Sequence, residues 1–108
     1  MVMIVTVVGR AKENAFVYTD VENDAQLTVA RLSVEPFLFD GYRVEEVLLI
    51  LSEGESVQRD RWYQVSGRIA RRRLVTRSGK QPRLPIWEVR VSSLQSLNET
   101  EKRPHSDG

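Results

Sequence analysis

Residues 62–91 read WYQVSGRIARRRLVTRSGKQPRLPIWEVRV. Tyr63, Val65, Gly67 and Ile69 alternate with Gln64, Ser66 and Arg68, and Trp87, Val89 and Val91 alternate with Glu88 and Arg90. A period of two sends alternate side chains to opposite faces, so each run reads as a strand with one buried face and one wet face. Between the runs stand Arg71, Arg72, Arg73, Arg77, Lys80 and Arg83, around a Ser78-Gly79 turn signal with Pro82 and Pro85 nearby. The stretch is therefore expected to form two long strands joined by a basic hairpin loop.

The charge of the chain is distributed to match. The net charge is +1 over 108 residues. Residues 1–58 carry four basic side chains against ten acidic ones, while residues 59–90 carry ten basic, nine of them arginine, against two acidic. Clustering of one sign on one hairpin sets up a local positive field that the overall balance conceals. A solvated hairpin without a partner is the plain alternative. Arginine's planar fork, however, suits phosphate better than solubility alone requires.

Outward from this hairpin the chain continues in strands. Met1 to Arg10 is a β-branched run with apolar residues on both parities, which points to burial on both faces or a change of face at a bend. Gly9 fits a bulge or a close backbone approach there. Phe16 to Thr19 extends that strand or begins a small ribbon, and Asp20 to Asp24 has turn composition. A second strand is expected over Gln26 to Val34, stopped by Pro36, with Phe37 to Phe39 as an apolar connector. Tyr42 to Leu51 makes a third strand, since Ser52-Glu53-Gly54 breaks it at strand length.

Five strands, short turns and no clear helix predict an all-β, five-stranded Greek-key barrel of the OB type, with the extended basic hairpin between the fourth and fifth strands. An SH3-like barrel or a β-sandwich has a similar pattern. One domain is expected over residues 1–97, followed by a flexible polar tail over 98–108 that the fold can lose. The chain has no cysteine and shows no signal-peptide pattern, which makes a cytoplasmic location the default. Val44 to Leu51 is too short to span a bilayer, so no membrane partner is expected.

Catalysis finds little footing. The one histidine, His105, lies in the tail, no His/Cys/carboxylate set has metal spacing, and Glu45 and Glu46 should point to opposite faces of a strand. Gly9-Arg10 and Ser78-Gly79-Lys80 lack the frame of a phosphate loop. No enzyme, cofactor or metal is expected.

Taken in order, several fragments resemble the bacterial single-stranded DNA-binding proteins (SSB) and their primosomal replication protein B relatives. They are Val8-Gly9-Arg10, Tyr18-Thr19, Leu32-Ser33-Val34, Val65-Ser66-Gly67-Arg68-Ile69 with the arginines that follow, and Trp87-Glu88-Val89 leading to Leu94 and Leu97. The resemblance spans about Met3 to Leu97. It implies sequence-tolerant single-strand binding, roles in replication and repair, and a homo-oligomer, dimer or tetramer. RNA fits the same chemistry. Three features depart from the family. The connector over Ser52 to Arg61 is short, the third strand offers Leu48, Leu49 and Ile50 where the family often has a stacking aromatic, and the acidic C-terminal recruitment tip is missing.

Single-strand binding requires cations along the backbone and aromatic platforms for bases. The cations are Arg68, Arg71, Arg72, Arg73, Arg77, Lys80 and Arg83, with Arg72 and Arg73 expected to be solvated near a strand end. Tyr63 and Trp87 share parity with buried aliphatics and belong to the core. Trp62, on the opposite parity and in phase with Arg68, is the leading stacking candidate, with a subunit contact as its alternative. Tyr18 matches an aromatic of the family's first hairpin. Asp20, Glu22 and Asp24 in that hairpin would repel phosphate, and a neighbouring subunit's basic hairpin could take them up. A second class of function also fits the pattern, an OB-type assembly module whose basic hairpin docks an acidic protein surface.

Overall fold

A computed structural model describes residues 3–20, 24–72 and 85–97 of the chain, without the side chain of Asp20. Six strands follow in order: β1 (Met3–Ala11), β2 (Phe16–Asp20), β3 (Ala25–Phe39), β4 (Tyr42–Leu51), β5 (Trp62–Arg72) and β6 (Ile86–Leu97). No helix occurs among the described residues. The sheet order is β1-β5-β6-β4-β3-β2, and a further β1–β3 pairing joins its ends. Five strands thus close into a barrel, and β2 lies outside the closure as a ribbon on β3. All the pairings are antiparallel except that of β4 with β6.

Closure depends on β1 serving two partners. Met3 to Arg10 run along β5, while Gly9 to Ala11 run along β3. At the crossing the backbones meet closely, and a methyl group on Gly9 would stand 2.2 Å from the Ser33 carbonyl oxygen. The close approach expected at this glycine is present. Burial on both faces is not. Val7 and Ala11 are buried, but Ile4, on the other parity, is 71% exposed.

The core fills the barrel with the inward parity of each strand: Ala30, Leu32 and Val34; Val47, Leu49 and Leu51; Tyr63, Val65 and Ile69; Trp87, Val89 and Val91. Tyr63 and Trp87 are core residues, as alternation predicts. The connector over residues 52–61 plugs one end without a helix. Val57 drops into the core, and its carbonyl accepts from the Ala15 amide at 2.9 Å. The Tyr63 hydroxyl accepts from the Gln58 amide at 2.9 Å.

The second strand runs past its expected end. Pro36 does not stop β3, because the register shifts between Ser33 and Phe37 and proline falls in the bulge, where its missing N–H breaks no ladder bond. Phe37 to Phe39 therefore belong to the strand. Asp40 (φ 53°) and Gly41 (φ 81°) then make a two-residue turn into Tyr42, a geometry that matches the twist of the strands on either side.

Candidate nucleic-acid interface

The outward parities of β3, β4 and β6 make a face running from the β2 ribbon to the C-terminal end of β5. Val29 and Ile50 are register partners on this face and are 1% and 6% exposed, so its floor is apolar and covered. Glu88 stands beside Leu48 on one side and Ala70 on the other. Arg72 is two residues beyond Ala70, which makes it Glu88's diagonal neighbour on the same face. Its Nη1 donates to Glu88 Oε1 at 3.1 Å, and both side chains are only 9% exposed. Arg90 approaches the other carboxylate oxygen at 3.3 Å from its own exposed position.

The solvated Arg72 expected from sequence is thus corrected. The cause is the carboxylate one strand away, which takes up its guanidinium and lets the side chain be buried. Above it lies Tyr18 of β2, whose ring centre is 5.5 Å from the guanidinium carbon. A cation over an aromatic ring at this distance is attracted by the ring quadrupole. Two of the sequence candidates, from strands four places apart in the sheet order, are therefore in contact.

Arg71 occupies the other parity, at the mouth of the barrel. Its guanidinium lies 5.7 Å from the centre of the Tyr42 ring. Tyr42 in turn packs 6.0 Å from Trp87, and Phe39 meets Trp87 edge-on at 5.0 Å. Beside this cluster a groove of about 660 Å³ runs past Arg31, Arg43, Leu48, Ile86 and Trp87. Tyr42 and Glu88 are among the members of this region to which the sequence assigned no role. Each left a signal: Asp40-Gly41 marks the turn that delivers Tyr42, and Glu88 and Arg90 share the parity opposite Trp87 and Val89.

Other candidates lie apart. Arg68 is exposed on β5, with Ile4 and Arg90 as its register partners. Trp62 is half-buried between Arg10 and Leu97 at the start of β5. It is ten residues from Arg72 on one strand, a separation of roughly 30 Å at strand rise. Trp62 and Tyr18 therefore do not form one compact platform. Arg73, Arg77, Lys80 and Arg83, with Glu22, the Asp20 side chain and the tail over 98–108, lie outside the described residues. Among the described residues no cluster of three or more His, Cys, Asp or Glu side chains could hold a metal ion.

Electrostatics at the edge of this face are set by Glu13. Its carboxylate accepts from Arg31 Nε and Nη2, at 3.1 and 2.9 Å, and from the Arg31 amide at 3.0 Å. These bonds hold the Glu13 carboxyl below the usual glutamate range and raise the Arg31 guanidinium in turn. Glu46 pairs with Lys12 and Glu45 with Arg43, so the two adjacent glutamates do point apart.

No family model matches the chain, and no curated protein matches it. Among solved structures it is similar to a small single-stranded DNA-binding protein from Streptomyces coelicolor. The two share 11% identity at a TM-score of 0.57, over 88% of this chain and 94% of that one. The fold is an OB barrel. The expected architecture is present, with β2 added as a sixth strand, and the SH3-like and sandwich alternatives are set aside. On this OB barrel the Tyr18–Arg72 contact and the groove past Leu48 border the outward face of β3 and β4.

Proposed function

We propose that this chain is a non-enzymatic, sequence-tolerant single-stranded DNA-binding module related to the SSB proteins. The observation that carries the reading is the meeting of Tyr18, from the first hairpin, with Arg72 at the root of the basic loop, on the β3–β4 face of an OB barrel. A stacking ring beside a run of arginines is what an unpaired strand requires. Arg71 and the loop cations beyond it supply the charge, while the neighbouring groove carries both signs, Arg31 and Arg43 being paired with Glu13 and Glu45.

A titration of labelled oligo-dT at low and high salt tests this. Each phosphate contact on a single strand contributes about −0.7 to the slope of log affinity against log salt, so four contacts give a slope near −3. Replacing Arg71 and Arg73 by alanine should flatten it by roughly 1.4. An unchanged slope and affinity in that double variant would move the hairpin to the docking of an acidic protein surface.

The proposal includes a homo-oligomer. On the outward parity of β1, β5 and β6, the rows Thr6–Ser66–Ser93 and Val8–Gln64–Gln95 carry no charge. Thr6 and Ser66 share a hydroxyl hydrogen bond of 2.8 Å. Trp62 and Leu97 close one end of this patch and Ile4 the other, a surface suited to a second copy. Trp62 is accordingly assigned to the contact between copies. Light scattering at tens of micromolar should give a dimer or tetramer mass, and a monomer mass removes the claim.

A further inference from the structure

Among the described residues Glu88 is the one buried acidic side chain on the proposed binding face, and a carboxylate there works against a polyanion. Its geometry gives it a use. Oε1 holds Arg72 at 3.1 Å and Oε2 faces Arg90 at 3.3 Å. The Arg72 side chain is buried, its guanidinium carbon 5.5 Å from the centre of the half-buried Tyr18 ring. β2 is a five-residue ribbon bonded to β3 alone, so its backbone gives Tyr18 limited support.

We infer that Glu88 is a positioning residue that withholds Arg72 from phosphate and fixes it behind Tyr18, making the tyrosine a rigid platform for a nucleobase. This deepens the single-strand reading and rests on it. Arg72 then contributes to affinity through the ring it supports. The salt dependence comes from other cations. Of two neighbouring arginines, Arg71 acts through its charge and Arg72 through its place behind the ring.

The salt slope separates the two roles, because a phosphate contact releases counterions and a stacked base releases few. Oligo-dT affinity is measured across salt for the unaltered protein and for Tyr18→Ala, Arg72→Met, the pair of them together, and Glu88→Gln. Tyr18→Ala and Arg72→Met should each weaken binding by a similar factor, roughly five- to a hundred-fold, with the slope unchanged. The pair together should be little worse than either alone, since both remove one platform. Glu88→Gln should steepen the slope by about 0.7, as Arg72 is released to meet a phosphate, and should do so equally in an Arg90→Gln background, since Arg90 is the carboxylate's other partner. A slope flattened by about 0.7 in Arg72→Met, or left unchanged in Glu88→Gln, overturns the inference while single-strand binding stands. Should Arg72→Met fail to melt cooperatively, Glu88→Gln and Tyr18→Ala still decide. An unaltered protein that leaves oligo-dT unbound at low salt overturns the inference and the single-strand reading together.

Discussion

A methyl group at position 67 would stand 2.2 Å from the Arg90 carbonyl oxygen, where the β5–β6 register shifts. No flexible side chain can yield there, because the obstacle is backbone. Gly67→Ala should cost about 1–3 kcal/mol or more, read as a lower midpoint in thermal or urea unfolding. Glu13 makes a prediction of another kind. Its carboxyl is held below the ordinary value of about 4.3, so its contribution is present above that pH and is lost as pH falls through the lowered folded value. Glu13→Gln should therefore be less stable than the unaltered protein at pH 7, and the difference should shrink in acid and vanish once the pH is below the lowered folded value. Equal stability at both pH values would show that the Arg31 pair does nothing for the fold. Alternation alone placed Tyr63 and Trp87 in the core. It did not reveal that Arg72 is buried, since that depends on a carboxylate sixteen residues away in sequence.

β3 shows where local rules mislead. Proline and a following apolar triplet read as the end of a strand, yet a bulge removes the need for the proline's N–H and the ladder resumes at Phe37. The turn that follows was in plain view, since Asp-Gly is a strong hairpin signal and both residues adopt positive φ. Gly41 has open space around it, so Gly41→Ala meets only the backbone preference against φ 81°. It should cost about 1–2 kcal/mol in denaturant unfolding. A neutral outcome would mean that the β3–β4 hairpin tolerates another turn. β4 was legible to both of its ends, because Tyr42 to Leu51 is bounded by glycine turns. β2 was foreseen as an option only, since five residues carry too short a pattern to tell a ribbon from the continuation of β1.

The closed barrel puts the first strand next to nearly the last of the chain: Met3 is the register partner of Ile69. Alternation predicted strands and a barrel, but pairing across more than sixty residues leaves no local mark. This has a consequence for synthesis. The β3–β4 hairpin can form as it leaves the ribosome, whereas β1 emerges first and has no β5 to pair with until residues 62–72 follow. At about 5–20 residues per second, β1 waits roughly 3–12 s with Ile4 and its β-branched neighbours unpaired. Such non-local closure also belongs to the slow end of small-domain folding, milliseconds to seconds. A circular permutant opened within 52–61, with the original ends linked, would bring β5 out of the ribosome ahead of β1. Pulse-labelled translation with protease challenge should then find protection appearing at a shorter chain length. The OB barrel thereby carries a timing problem in its order of strands, which a nascent-chain binder covering residues 3–8 would relieve.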